Sequence, residues 1–345
     1  FDVRNQIIND YRSYIGSFVN IKDERIKNDV SQEMKKGVLC PEPLIQFNPS
    51  FKLDKSVDQL CQENILHPDL SKIFKGYDLY QHQVEALELG AKGENFVVTS
   101  GTGSGKSLTY IGTIFNSILQ QKEKSKGIQA IIVYPMNALI NSQTGELNKF
   151  KENFGDEFPI KFKQYTGQEG QEEREAIKKD PPHILLTNYM MLELIMTRAT
   201  DHDRAIRESI RNNLKFLVFD ELHTYRGRQG SDIAMLIRRI KSYINKDVQC
   251  IGTSATLSSG VGSLEEQKNE VAGVGSQLFG SKFKSTQIIS ETLSRVTSWI
   301  GTLPDKAALK TVLSKEIVLT DNENTLKSHP LAIWLENRIG LEEVN

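Results

Sequence analysis

Six short apolar runs, each set off from the next by a longer polar or amphipathic stretch, leave this chain few architectures. They are FVVT at 96–99, AIIVY at 130–134, IKFKQY at 160–165, HILLT at 183–187, FLVF at 216–219 and QCIGT at 249–253. Between them lie SLTYIGTIFNSILQ, SQTGELNKF and SDIAMLIRRIKSYI, which carry apolar residues at helical spacing. Strands separated by helices cannot pair through tight hairpins. The alternation therefore predicts an α/β fold, a mostly parallel sheet with helices on both faces.

The first run leads directly into TSGTGSGKS at 99–107, and an amphipathic stretch follows at once. A strict phosphate loop, G-x-x-x-x-G-K-[ST], would need glycine at position 100, where this chain has Ser100. The strand–loop–helix context is nevertheless the one such a loop requires. Glycines let backbone N–H groups turn inward, and the helix N-terminus adds a favourable dipole. On this reading Thr102, Gly103, Ser104, Gly105 and Leu108 cradle phosphates, Lys106 reaches the β- and γ-phosphates, and Ser107 holds Mg²⁺. The bland reading is a glycine turn with a stray lysine.

FLVFDELH at 216–223 ends an apolar run in two adjacent acids. Asp220 can organise a metal ion while Glu221 orients and deprotonates a water. Alone, the pair would read as a strand end and a solvated turn. Downstream, TSAT at 253–256 supplies Thr253, Ser254 and Thr256, hydroxyls able to bond the acids and report the γ-phosphate state.

The order SGTGSGKS, DELH, SAT resembles the first RecA-like domain of superfamily 2 DEAD/DEAH-box (DExH) helicases, whose loop need not begin with glycine. The run DELHTYRGRQGS is more specific. It resembles the D-E-x-H-x-Y-x-G-x-x-G-S pattern of mitomycin-repair-type bacterial helicases, their RecQ-four-like eukaryotic relatives and large defence-associated helicases. The resemblance covers about 75–260. It implies that Gln83, in LYQHQVEAL, reads adenine and that His223 couples ATP state to strand binding. It further implies a nucleic-acid groove lined by Pro135 and Asn137 (YPMNALINSQ), Thr166 and Gly167 (YTG), and Thr187 and Asn188 (LLTNYMMLE). Arg226 and Arg228 are read as a loop after the acid pair, either phosphate contacts or ordinary surface arginines.

ATP and Mg²⁺ are the implied cofactors, and nucleic acid, DNA favoured over RNA, the implied partner. A second RecA-like domain of a longer chain, with an arginine finger, is also implied. Neither a Q-x-x-G-R-x-x-R segment nor a C-terminal cysteine cluster is evident, so this chain is expected to bind ATP and hydrolyse it slowly. Two rivals share these motifs: a nucleotide-gated nucleic-acid or partner-binding module, and a duplex-DNA translocase of a defence system.

Composition bounds the rest. With 345 residues and a net charge of −1, the chain advertises no polyanion partner through global charge, so such a site must be local. Cys40, Cys61 and Cys250 form no CxxC pair, which points to a reducing compartment, with the resemblance favouring a bacterial cytoplasm. The longest apolar run, AIIVYPMNALI, is too short to span a bilayer. A start at Phe1 without signal-peptide character suggests a piece of something longer. Expected divisions are a helical extension with a proline-rich linker over 1–72, the nucleotide-binding domain over 73–290, and a C-terminal extension over 291–345.

Overall fold

The computed structural model describes residues 2–18, 21–35, 50–101, 103–121, 126–244, 246–255, 263–298, 302–314 and 323–340. Two units separate between Asn48 and Pro49. The first holds α1 (Asp2–Phe18) and α2 (Glu24–Lys35), so the expected N-terminal helix is present as two. The apolar residues of α1 at helical spacing are exposed at Ile7, Tyr11, Tyr14 and Phe18. The linker prolines Pro41 and Pro43, together with Cys40, fall outside the described residues.

The second unit opens with β1 (Leu53–Ser56), α3 (Val57–Gln62), α4 (Asp69–Ile73), β2 (Asp78–Tyr80) and α5 (Gln81–Ala91). The alternation follows: β3 (Phe96–Thr99), α6 (Lys106–Leu119), β4 (Ala130–Tyr134), α7 (Asn137–Phe154), β5 (Phe162–Gln164), α8 (Gln171–Lys179), β6 (Ile184–Asn188), α9 (Tyr189–Thr197) and α10 (Asp201–Asn213). It continues with β7 (Phe216–Phe219), α11 (Gly227–Ile244), β8 (Gln249–Ser254), α12 (Leu264–Phe279) and β9 (Ile288–Ser290), then α13 (Lys306–Leu313), α14 (Glu323–Lys327) and α15 (Pro330–Leu335).

All six predicted strands form, and β9 joins them in a seven-stranded sheet of order β5-β6-β4-β7-β8-β3-β9. Every neighbouring pair in it is parallel. Successive strand residues point to opposite faces, which divides the core in two. Phe96, Val98, Ile132, Leu186 and Val218 pack on one side with residues of α5, α6 and α7. Val97, Ile131, Leu185, Leu217 and Phe219 pack on the other with α9, α10, α11 and α12. On the first side α5 and α6 approach closely at Gly90, where a Cβ would lie 2.2 Å from Thr113 Oγ1. That contact seats the helix that follows the glycine loop.

Residues 54–74 are helical at α3 and α4, as their pattern suggests, but they open with β1 and belong to the second unit rather than to the N-terminal one. LDKS pairs antiparallel with DLY as β1 and β2. Leu60, Leu70 and Ile73 are fully buried in the same core as Phe115. Asn116 Oδ1 accepts the His67 N–H at 2.8 Å, which ties this segment to α6. Ser56 caps α3, its hydroxyl accepting from Gln59 N–H while Gln59 Oε1 accepts from Ser56 N–H. Beyond β9 the chain returns to the same segment: Lys52 N–H donates to Thr292 O at 2.8 Å and Ser294 N–H to Ser50 O at 2.7 Å.

Candidate functional site

Parallel strands place all their C-terminal ends along one edge of the sheet, and strand order decides which ends meet. β8 lies between β3 and β7, with Thr99 opposite Ser254 and Phe219 opposite Gly252. The glycine loop, the acid pair and the TSAT hydroxyls therefore converge from three distant stretches of sequence.

The loop reverses through Gly103 (φ +80°) and Gly105 (φ +70°), conformations that glycine alone adopts at little cost. At Gly105 a Cβ would also meet Gln83 Nε2 at 2.4 Å. Ser100 fits because its backbone is not in the left-handed region, which among described non-glycine residues holds only Asn64 and Glu221. Its hydroxyl shares a 2.6 Å hydrogen bond with that of Ser104, both buried, so the serine closes the loop through its side chain. Lys106 Nζ donates to Ser100 O (2.8 Å) and Gly101 O (3.2 Å) and lies 4.0 Å from Glu221 Oε1. Ser107 stands in the first turn of α6, and the Leu108 N–H donates to Gly105 O at 3.1 Å. Thr102 lies outside the described residues.

Thr253 joins the two acids. Its hydroxyl donates to Asp220 Oδ1 at 2.6 Å and accepts the Glu221 N–H at 3.0 Å. Glu221 adopts φ +55°, a left-handed conformation costing roughly 1–2 kcal/mol for a residue with a Cβ. Such strain persists only where surrounding contacts hold it, as the Thr253 hydroxyl holds the Glu221 N–H here. His223, in a short 3-10 turn, places Nδ1 3.2 Å from Glu221 Oε2 and 3.4 Å from the Ala255 N–H. Ser254 Oγ lies 3.5 Å from the same nitrogen. Thr256 falls outside the described residues.

Burial and the neighbouring Glu221 push the Asp220 carboxyl up from 3.8 to about 6, against the lowering effects of the Thr253 hydroxyl and Lys106. Nearby, the Tyr110 and Tyr134 hydroxyls meet at 3.3 Å in full burial. A carboxylate held in that setting gains charge compensation from a bound divalent cation. The cation-seeking Asp220, the inward lysine and the glycine-built loop fit ATP with Mg²⁺. The raised value also has a stability consequence. The penalty for the ionised folded form is absent below about pH 4, grows as pH rises through about 6 and is complete above it. Asp220→Asn is expected to stabilise the chain by about 1–2 kcal/mol at pH 8 and not at pH 4, read from urea midpoints at both values.

Two partners of the loop escaped the sequence reading, and a third, Gln83, meets it in an unforeseen way. His82 is fully buried with Nε2 3.0 Å from Ser104 O. Glu291 Oε2 accepts the Gly101 N–H at 2.6 Å, a contact made by the β3–β9 pairing and invisible locally. Gln83, the expected adenine reader, has its amide on the chain itself: Oε1 accepts the Tyr80 N–H at 2.9 Å and Nε2 donates to Gly105 O at 3.1 Å.

The groove candidates gather at the other half of the same edge, where β5, β6 and β4 end. Asn188 Nδ2 donates to Asn137 Oδ1 at 2.8 Å, and Asn188 Oδ1 caps α9 through the Met191 N–H. Pro135 begins the turn between β4 and α7. Thr166 and Gly167 follow β5. Thr187 is fully buried and donates to Tyr165 O at 2.6 Å, so its hydroxyl is committed to the fold. Arg226 and Arg228 are exposed, and Arg228 is in the first turn of α11 rather than in a loop. Because that helix starts at Gly227, Ser231 and Asp232 lie a turn inside it.

Among the described residues no helix is long and apolar enough to cross a membrane. A family model for DEAD/DEAH box helicase matches residues 80–264. The chain is 36% identical over 185 residues to the uncharacterized ATP-dependent helicase YprA of Bacillus subtilis, covering 53% of this chain and 23% of YprA. It is 29% identical over 212 residues to the ATP-dependent helicase HRQ1 of Saccharomyces cerevisiae, covering 60% of this chain and 19% of HRQ1. Its fold is similar to a crystal structure of the DUF1998 helicase MrfA bound to DNA, with TM-score 0.57 and 27% identity over 75% of this chain and 32% of MrfA. The chain thus spans about a fifth to a third of the length of these relatives.

Proposed function

Since this chain belongs to the DEAD/DEAH box helicase family and carries its first RecA-like domain, we propose that it is the ATP-binding half of a nucleic-acid motor that tracks DNA in preference to RNA. The observation that carries this reading is the Thr253 hydroxyl, bonded at once to Asp220 and to the backbone of Glu221, with Lys106 facing them. A pure nucleotide sensor has no use for a carboxylate so held.

Lys106 and Ser107 would hold the phosphates and Mg²⁺, with Asp220 on the metal side. Bound ATP and Mg²⁺ supply the phosphoryl group and the charge that draws electrons from it. Glu221 orients a water and takes its proton. Because one hydroxyl joins Thr253 to both acids, a change at the phosphates passes to β8 and, through Ala255 and Ser254, to His223. At the other half of the edge, Asn137, Asn188, Thr166 and Gly167 offer polar groups to a strand. Contacts of that type are to phosphate and largely independent of sequence. The DNA-bound MrfA structure supports DNA as the track.

The test is steady-state ATPase of the chain with no nucleic acid, single-stranded DNA, duplex DNA and RNA, with Lys106→Ala as the blank. Stimulation by DNA above that by RNA is the expected result. Stimulation by RNA alone would reassign the track. Tight ATP binding with no stimulation would favour a nucleotide-gated binding module instead.

A further inference from the structure

The turn YTGQEG at 165–170 faces the proposed strand groove, and its donors already have a partner. The Thr166 N–H and hydroxyl donate to Glu169 Oε1 at 2.6 and 2.7 Å, and the Gly167 N–H donates to Oε2 at 2.8 Å. Gly167 aims its amide there through a left-handed backbone, φ +91°. Two amides and a hydroxyl converging on two oxygens of one anion form the donor set that holds a phosphate. A carboxylate and a phosphate cannot share it.

Beside this turn lies a pocket of about 260 Å³ whose walls include Glu169, Arg174, Arg198 and Asp203. Arg174, on α8, sends Nη2 to Gly167 O at 3.1 Å. Its Nε is buried and has no hydrogen-bond partner among the described residues. Arg174 therefore lines the same pocket as the carboxylate and keeps one guanidinium donor unused just beneath that wall.

We propose that Glu169 is a two-position switch for strand binding. In the strand-free chain it occupies the Thr166–Gly167 donor set. When a backbone phosphate of single-stranded DNA takes that set, the carboxylate swings into the pocket and accepts the free Nε–H of Arg174. This rests on the strand-groove reading given above. The consequence is a groove that resists weak or transient polyanion contact and rewards a phosphate placed well enough to displace the internal anion.

The experiment is fluorescence anisotropy of a labelled oligo(dT) strand with the 345-residue chain and its variants, each checked for an unchanged urea midpoint. Glu169→Gln removes the charge and keeps the side-chain shape, and should tighten binding on the order of tenfold. Glu169→Ala should tighten it similarly. Arg174→Met should weaken binding several-fold alone and clearly less in the Glu169→Gln background, because the receiver matters only when there is a carboxylate to receive. Unchanged or weaker binding by both Glu169 variants would make the residue a loop staple and overturn the switch. Equal effects of Arg174→Met in the two backgrounds would overturn it as well. Asn137→Ala separates the two readings: if it weakens binding while Glu169→Gln brings no gain, the groove stands and the switch falls. No binding by any variant overturns both.

Discussion

Glu221→Gln is expected to lower ATP turnover by a factor of roughly 10²–10⁴ while ATP remains bound. The substitution isolates the proton-accepting role. Glutamine keeps the side-chain length, and the Glu221 N–H that bonds Thr253 Oγ1 at 3.0 Å belongs to the backbone and survives. The left-handed conformation at φ +55° is no easier or harder for glutamine than for glutamate, so the local strain is unchanged. The charge is lost 4.0 Å from Lys106, which removes a competitor for the ammonium and should leave nucleotide affinity equal or improved. A turnover assay paired with a fluorescent-nucleotide titration separates these effects. Retained turnover would assign the proton to another group.

How far the sequence revealed this site follows from which interactions are local. A strand buried on both faces must be apolar along its whole length, so FVVT, AIIVY and FLVF announce themselves. The loop was legible because glycines, lysine and the flanking strand and helix sit side by side. Strand order is a different matter. Nothing near Glu291 says that β9 will pair with β3 and bring its carboxylate to Gly101. The three-residue β9 and the β1–β2 pair are too short for any period to show, so none of these strands was legible. Thr187 illustrates the converse: its motif was legible, yet only the fold shows its hydroxyl turned to Tyr165 O. Gly227 was read as loop, and α11 starts there, bringing Arg228 into the helix. Burial, not spacing, decides such cases.

The second large effect concerns the cations that the described residues bring to the phosphate side of the site. Lys106 faces the acid pair, but its Nζ is divided between the Ser100 and Gly101 carbonyls and lies 4.0 Å from Glu221. One shared ammonium and a metal ion can bind the ground-state phosphates. Charge that builds on the transferred group in the transition state needs a further donor, and the family resemblance implies an arginine from a second RecA-like domain. A polypeptide extending this chain through such a domain is therefore expected to turn over ATP roughly 10³–10⁵-fold faster in the presence of DNA than the 345-residue chain does. The affinity for ATP should change far less, because a finger that engages only the transition state raises kcat and not ground-state binding. Measuring kcat and nucleotide Kd for both lengths checks this. A rise in affinity with no rise in kcat would place the added domain's role in holding ATP, and fast DNA-stimulated turnover by the 345-residue chain alone would mean that the edge formed by β3, β8 and β7 is catalytically complete without a finger.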